Sequence, residues 1–327
     1  VDLDRLFAPP TPGDVAEVRA AWATRSVAAT AVREEFSGPF PIGMSAGQLR
    51  VVSHLVDGNR HYGALLARPD AAPGSLPVLV YAHGGDAGVS IDELGLLLLL
   101  LGERADDFLW VVPSFRSESL RAGARVFRSE GAASPWDRDV DDALSLVSVA
   151  LAEEPAADPA RVGVLGFSRG AGVGLLMAAR DARIGAVVAF FGPTDFFDPW
   201  VRDLVVEALE GRRRDLPGLQ VLDDQFLQPL RRGETSVEAV RRELLRRSAA
   251  YFASSLPAVQ LHHGTADAVV AFSQAERFDA AMRALGRSEP SYAFFAYPGA
   301  GHNPLAMVGS IARTTAFLEA FAGAGWP

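Results

Sequence analysis

From about residue 76 onward, short continuous apolar runs alternate with stretches whose apolar residues recur every three or four positions. The runs at 77–82, 108–113, 161–165, 184–191, 257–264 and 291–297 read as strands buried on both faces. Strands of that kind, separated by helical stretches, are the pattern of a mostly parallel central sheet with helices on both faces. The helices are expected at 137–151, where Val140, Leu144, Val147 and Leu151 share one stripe, at 171–180, at 273–285 and at about 303–323. Residues 94–101 are the most apolar run, but they fall far short of the ~20 needed to cross a bilayer, so no membrane span is expected and a buried helix is. The alternation stops between residues 200 and 250, which read as helical, polar and rich in arginine. An insertion at about 196–250, on the rim of such a sheet, is expected to form a helical cap.

The first part of the chain reads differently. A helix is expected over 14–30, followed by a connection broken by Gly38, Pro39, Pro41 and Gly43. Two antiparallel strands, 49–56 and 61–68, are joined by the turn 57–60, which leaves His54 and His61 as exposed strand histidines. The expected organisation is an N-terminal helical extension (1–48) and one α/β domain (49–327) carrying the cap.

Composition narrows the function. With 327 residues, 49% hydrophobic and 22% charged, the chain is long enough for one large domain with a sizeable core. A net charge of -9 argues against nucleic acid, whose binding requires basic stripes. There is no cysteine, which excludes thiol nucleophiles, disulfides and thiolate metal sites. There is no lysine either, so Schiff-base chemistry and a Walker-type phosphate site are excluded. The chain starts at Val1 with no leader pattern, so the compartment is left open between cytoplasmic and secreted after removal of a leader. Assembly as a homo-oligomer is equally open.

The strongest chemical signal is Gly166-Phe167-Ser168-Arg169-Gly170, which follows the run 161–165 and precedes a helical stretch. A strand that breaks into a helix at a serine is the setting of a nucleophile elbow: glycine on either side removes the collisions of a strained turn, and the next amide opens a helix. Other strand ends carry matching parts. His83-Gly84-Gly85-Asp86 follows the first central strand, where glycines let amides point inward and His83 fixes the loop. Arg116 and Glu118 follow the second, on the same rim; Asp86 and Arg116 are candidate substrate contacts, although Arg116 is expected to pair with Glu118 instead. Asp195 and Asp267 each sit at a strand end as candidate acids. His302 follows Gly299 and Gly301, which give a general base its freedom. His262 and His263 are adjacent on a strand and point to opposite faces, so they cannot share a metal. The arginine runs of 212–214, 231–232 and 241–247 read as a solvated face paired to nearby acids.

Together, residues 166–170, 83–86, 263–267 and 301–302 resemble the α/β-hydrolase superfamily, and within it the chain is most similar to the prolyl-oligopeptidase-like and dienelactone-hydrolase-like esterases. The resemblance spans about residues 50–322. It implies Ser168 as nucleophile, His302 as base and Asp267 as acid, with Asp195 the rival, and it gives the oxyanion to the amides of Arg169 and Gly85. No metal or organic cofactor is implied. The stretch before residue 77 is too short for the β-propeller of the oligopeptidases, and serine replaces the cysteine typical of dienelactone hydrolases. The expected activity is therefore hydrolysis of small-molecule carboxylic esters through an acyl-enzyme. A peptidase or amidase of the oligopeptidase type and a non-catalytic binding protein of this fold are the alternatives.

Overall fold

The computed structural model describes residues 1–323; the last four residues of the domain expected over 49–327 lie outside them. The chain enters through α1 (Leu3–Leu6) and α2 (Pro12–Ala23), the latter started by a reciprocal Thr11–Asp14 capping box. Three antiparallel strands follow, β1 (Thr30–Ile42), β2 (Ser45–Val56) and β3 (Asn59–Ala67). Asp57 and Gly58 turn β2 into β3 with φ of 49° and 77°, the positive pair that a two-residue hairpin demands.

Two expectations fail here. The helix expected over 14–30 stops at Ala23, and the broken connection expected over 37–43 is the end of β1. Pro39 and Pro41 are tolerated because β1 is the edge strand, where a missing N–H removes no ladder bond. Residues 1–48 thus contribute a strand to the same sheet rather than helices alone.

The alternation then proceeds through β4 (Leu76–Ala82), β5 (Val89–Ser90), α3 (Ile91–Leu101), β6 (Leu109–Pro113), β7 (Ser119–Ala122), β8 (Arg125–Arg128), α4 (Arg138–Glu153), β9 (Ala157–Phe167), α5 (Arg169–Arg180) and β10 (Ile184–Phe190). The helical insertion holds α6 (Pro199–Leu209), α7 (Leu219–Leu222), α8 (Gln228–Arg231) and α9 (Val237–Arg246), after which β11 (Ala258–Gly264), α10 (Ser273–Ala284), β12 (Tyr292–Tyr297) and α11 (Ser310–Ala322) complete the chain. The large sheet runs β1-β2-β3-β6-β4-β9-β10-β11-β12, antiparallel as far as the β3–β6 pair and parallel beyond it. β5, β7 and β8 form a small separate sheet. One hydrophobic core lies between the large sheet and α4, α5 and α10, the other between the sheet and α3 and α11. β4 lies between β6 and β9, so the chain leaves it in one direction and later returns on the other side. The crevice at the carboxyl ends of β4 and β9 is that switch point, where open α/β sheets place their sites.

Burial corrects two further expectations. His54 and His61 face each other across the β2–β3 pair and are 1% exposed, because α4 crosses that hairpin: a Cβ at Gly63 would lie 2.3 Å from Leu146. α3 is amphipathic rather than buried, with Ile91, Leu94, Leu98 and Leu101 inside and Leu96, Leu99 and Leu100 in solvent. Among the described residues no helix is long and apolar enough to cross a membrane. The arginines of the insertion largely pair as expected, Arg213 with Asp223 and Arg214 with Glu207, for example. Arg247 also pairs with Glu243, but it is buried and donates to the Pro135 carbonyl as well, while Arg241 donates to the carbonyls of Arg5, Leu6 and Ala8.

Candidate active site

Ser168 stands between β9 and α5 with φ 53° and ψ −121°, a strained left-handed-side conformation for a residue with a Cβ. Its neighbours show why the turn needs glycine. A Cβ at Gly166 would lie 2.4 Å from the Gly170 carbonyl oxygen, and one at Gly170 would lie 1.9 Å from that of Ala82 on β4. The Ser168 amide donates to Phe190 O at 2.9 Å, which ties the elbow to β10. Arg169 is the first residue of α5, so its N–H has no acceptor within the helix. The loop after β4 lies directly against the serine: a Cβ at Gly84 would be 3.1 Å from Ser168 Cβ.

The loops after β11 and β12 bring an acid and a base together. Asp267 Oδ2 and His302 Nδ1 are 2.7 Å apart, and Asp267 Oδ1 accepts the amides of Val269 and Val270 at 2.8 and 2.9 Å. Burial pushes the Asp267 carboxyl up, but the His302 bond and the two amides outweigh it and hold the group below its ordinary value. The His302 ring packs on Phe191 at 4.2 Å, and Phe191 directly follows β10. Asp195 is engaged elsewhere, accepting from Arg277 Nε at 2.5 Å and from the Phe197 amide. His262 bonds Tyr297 and Gln260 while His263 bonds Val270 O, on opposite faces of β11. Among the described residues no three His, Asp or Glu side chains are grouped to hold a metal ion.

The rim residues are placed differently from expectation. Arg116 does not pair with Glu118 and does not reach into the crevice: it is buried and held by both Asp142 oxygens. Glu118 instead binds the Arg169 guanidinium, which also donates to Asp139 at 2.8 Å and to Gly85 O at 3.1 Å. Burial pushes Glu118 up to about 7 and Asp139 to about 6, with Arg169 working against the shift in both. Asp86 accepts the Gly218 amide at 3.3 Å, linking this loop to the insertion. Asp139 and Asp142 were not singled out from the sequence. The signal is there: they lie three residues apart and share a helix face with Ala143 and Leu146, so acids continue a buried stripe.

Above Ser168 is a narrow apolar cavity of ≈ 60 Å³. Its walls include Trp136, Phe196, Trp200 and Leu204 of α6, Leu222 of α7, and Val270. Trp136 and Phe196 meet edge to face at 5.1 Å, and Gly218, at φ 77°, passes so close to Trp136 that a Cβ there would lie 2.7 Å from its ring. The insertion therefore supplies most of the cavity wall.

Known proteins agree with this architecture. The family model described as BAAT / Acyl-CoA thioester hydrolase C terminal matches residues 149–305. Acetyl xylan esterase 1 from Thermoanaerobacterium sp. superposes with a TM-score of 0.65 at 20% identity, covering 97% of this chain and 98% of that one. The esterase Pf2001 of Pyrococcus furiosus gives 0.55 at 17% identity, with coverages of 88% and 93%. A puromycin-hydrolyzing peptidase of Mycobacterium tuberculosis gives 0.57 at 21%, covering 88% of this chain but 45% of that one. No curated protein matches the sequence. The chain has the α/β-hydrolase fold, and the resemblance read from its motifs is borne out at that level.

Proposed function

We propose that this protein is a serine hydrolase that cleaves carboxylic esters with a compact apolar acyl group by way of an acyl-enzyme. The observation that carries the reading is a strained serine at an elbow that lines an apolar cavity together with Val269 and Val270, the residues whose amides hold Asp267, itself hydrogen-bonded to His302. Ser168 Oγ attacks the acyl carbon, and His302 takes its proton and returns it to the leaving alkoxide. Asp267 fixes the imidazole so that Nε2 faces the serine, and stabilises the cation that forms. The amides of Arg169 and Gly85 bind the oxyanion, each contributing ~3 kcal/mol to the transition state. Water then enters by the reverse path and releases the acid.

The cavity supports a restriction on the acyl group. Its volume has room for about four to six water-sized groups, and walls of Trp, Phe, Leu and Val offer nothing to a charged or hydroxylated chain. A thioester is the second reading, favoured by the description of the matching family model, since the same acyl pocket and nucleophile serve either leaving group. Peptide amides rank below both, because the peptidase neighbour is matched over less than half its length. Treatment with a fluorophosphonate followed by peptide mass mapping tests the nucleophile. The adduct is expected on Ser168, and a protein that stays unlabelled would contradict the reading.

A further inference from the structure

The elbow residue Arg169 has a side chain whose position the chemistry above does not use. It follows the nucleophile, yet its guanidinium points into the protein and is 2% exposed, over the Phe115 ring at 5.0 Å. Two acids from different elements hold it, Asp139 of α4 and Glu118 of the loop after β6. Its remaining bond is to the Gly85 carbonyl in the loop after β4. The preceding carbonyl in that loop is held too: His83 Nδ1 lies 3.0 Å from Gly84 O, and the His83 ring is stacked on the same Phe115 at 4.5 Å. Because a carbonyl only accepts, Nδ1 is the protonated nitrogen. Burial holds His83 neutral, down at about 3, so Nε2 is a bare lone pair, facing Glu118 Oε2 at 3.6 Å.

Resting on the serine-hydrolase reading, we propose that Arg169 and His83 are positioning residues that aim the second half of the oxyanion hole by pulling two successive carbonyls away from it. In a trans peptide the C=O and the following N–H point in opposite directions. Fixing Gly84 O on His83 turns the Gly85 N–H away from that ring, and fixing Gly85 O on Arg169 turns the Asp86 N–H away from the buried guanidinium. Both side chains are buried, so both amides are turned away from the interior, toward the crevice. Gly85 has φ 73°, which lets two successive peptides adopt this arrangement. Glu118 holds the Arg169 clamp through its bond to the guanidinium, while its other oxygen and His83 Nε2 make no hydrogen bond among the described residues. The arrangement also explains the cost accepted at this site: a buried arginine with two buried acids is retained because removing any one member would release the loop.

The test is steady-state kinetics of Arg169→Met, Arg169→Lys and His83→Phe on the wild type's best p-nitrophenyl ester, with active sites titrated and inhibition by an alkyl boronic acid measured in parallel. His83→Phe keeps the stack on Phe115 and loses only the donor, so it covers the case in which Arg169→Met fails to fold. The expected result is a fall in kcat of about 10²-fold for Arg169→Met and about 10-fold for His83→Phe. KM should stay within about 3-fold, and boronic acid affinity should weaken in step with kcat. Arg169→Lys should recover part of the loss, since an ammonium can still reach the carbonyl or one acid. Folded His83→Phe with unchanged kcat and boronic acid affinity overturns the proposal, as does a loss that shows only as fewer titratable sites. A wild type without Ser168-dependent turnover overturns the serine-hydrolase reading itself, and the clamp with it.

Discussion

Asp267 and His302 are joined at 2.7 Å from loops after two different strands, and the Asp267 oxygen not used by His302 is fixed by two backbone amides. The carboxylate is thus aimed, not merely near. Asp267→Asn keeps the shape but turns the imidazole to the wrong tautomer, and kcat should fall by about 10³- to 10⁴-fold with little loss of Tm. Asp195→Asn should do the opposite, lowering Tm through its Arg277 partner and leaving kcat within about 3-fold. Kinetics and melting curves of the two variants check the pair, and the reverse pattern would exchange the acids.

The elbow tolerates no Cβ at Gly170, where one would sit 1.9 Å from the Ala82 carbonyl oxygen. Backbone on both sides leaves nothing flexible to move. Gly170→Ala should cost about 3 kcal/mol or more, visible as insoluble expression or a Tm lowered by many degrees. At Gly85, by contrast, no atom lies near the missing Cβ, so Gly85→Ala is strained only by its φ and should fold with reduced kcat.

Leu204 and Leu222 of the insertion line the cavity that the proposed function assigns to the acyl group. Leu204→Ala should shift the preferred p-nitrophenyl ester toward longer chains, with a change in relative kcat/KM of about 10-fold or more. Leu222→Trp should shift it toward acetate. An unchanged chain-length profile in both variants would remove the cavity as the acyl site.

His54 has two buried ring nitrogens without partners, and burial, aided by the charge of His61, lowers its pKa from 6.5 to about 4. The folded protein therefore binds fewer protons than the unfolded chain between those values. Stability contributed by the neutral ring is complete above pH 6.5 and is lost as pH falls toward 4, by up to about 3 kcal/mol. His54→Phe removes both the unsatisfied nitrogens and the titration. Its Tm should equal or exceed the wild type's at pH 7.5 and fall less between pH 7 and 4.5, as measured by calorimetry at both pH values.

The parallel half of the fold was legible because buried strands and amphipathic helices leave opposite periods in the sequence, and chemistry sits where one gives way to the other. That rule singled out Ser168, His302 and two candidate acids, Asp195 and Asp267, and the family resemblance put Asp267 ahead. The edge strand β1 was not legible, since its glycine and prolines read as a broken connection, although Phe36, Phe40 and Ile42 fall on one face at even spacing. The burial of His54 and His61 depended on α4 crossing their hairpin, a long-range contact that two short strands do not announce. The pairing of Arg116 with Asp142 and of Glu118 with Arg169 was missed for a related reason. Neighbours in sequence are the simplest partners to guess, but the buried face of α4 offered acids better aligned to the guanidinium groups.

The central claim is Ser168-dependent ester hydrolysis, and the most direct measurement is turnover of a chain-length series of p-nitrophenyl esters, with a peptide p-nitroanilide alongside, by wild type and Ser168→Ala. Turnover of short apolar acyl esters, a sharp optimum, a much slower anilide and complete loss in Ser168→Ala is the result expected. Ester turnover that persists in Ser168→Ala, or no turnover of any ester by wild type, would contradict it.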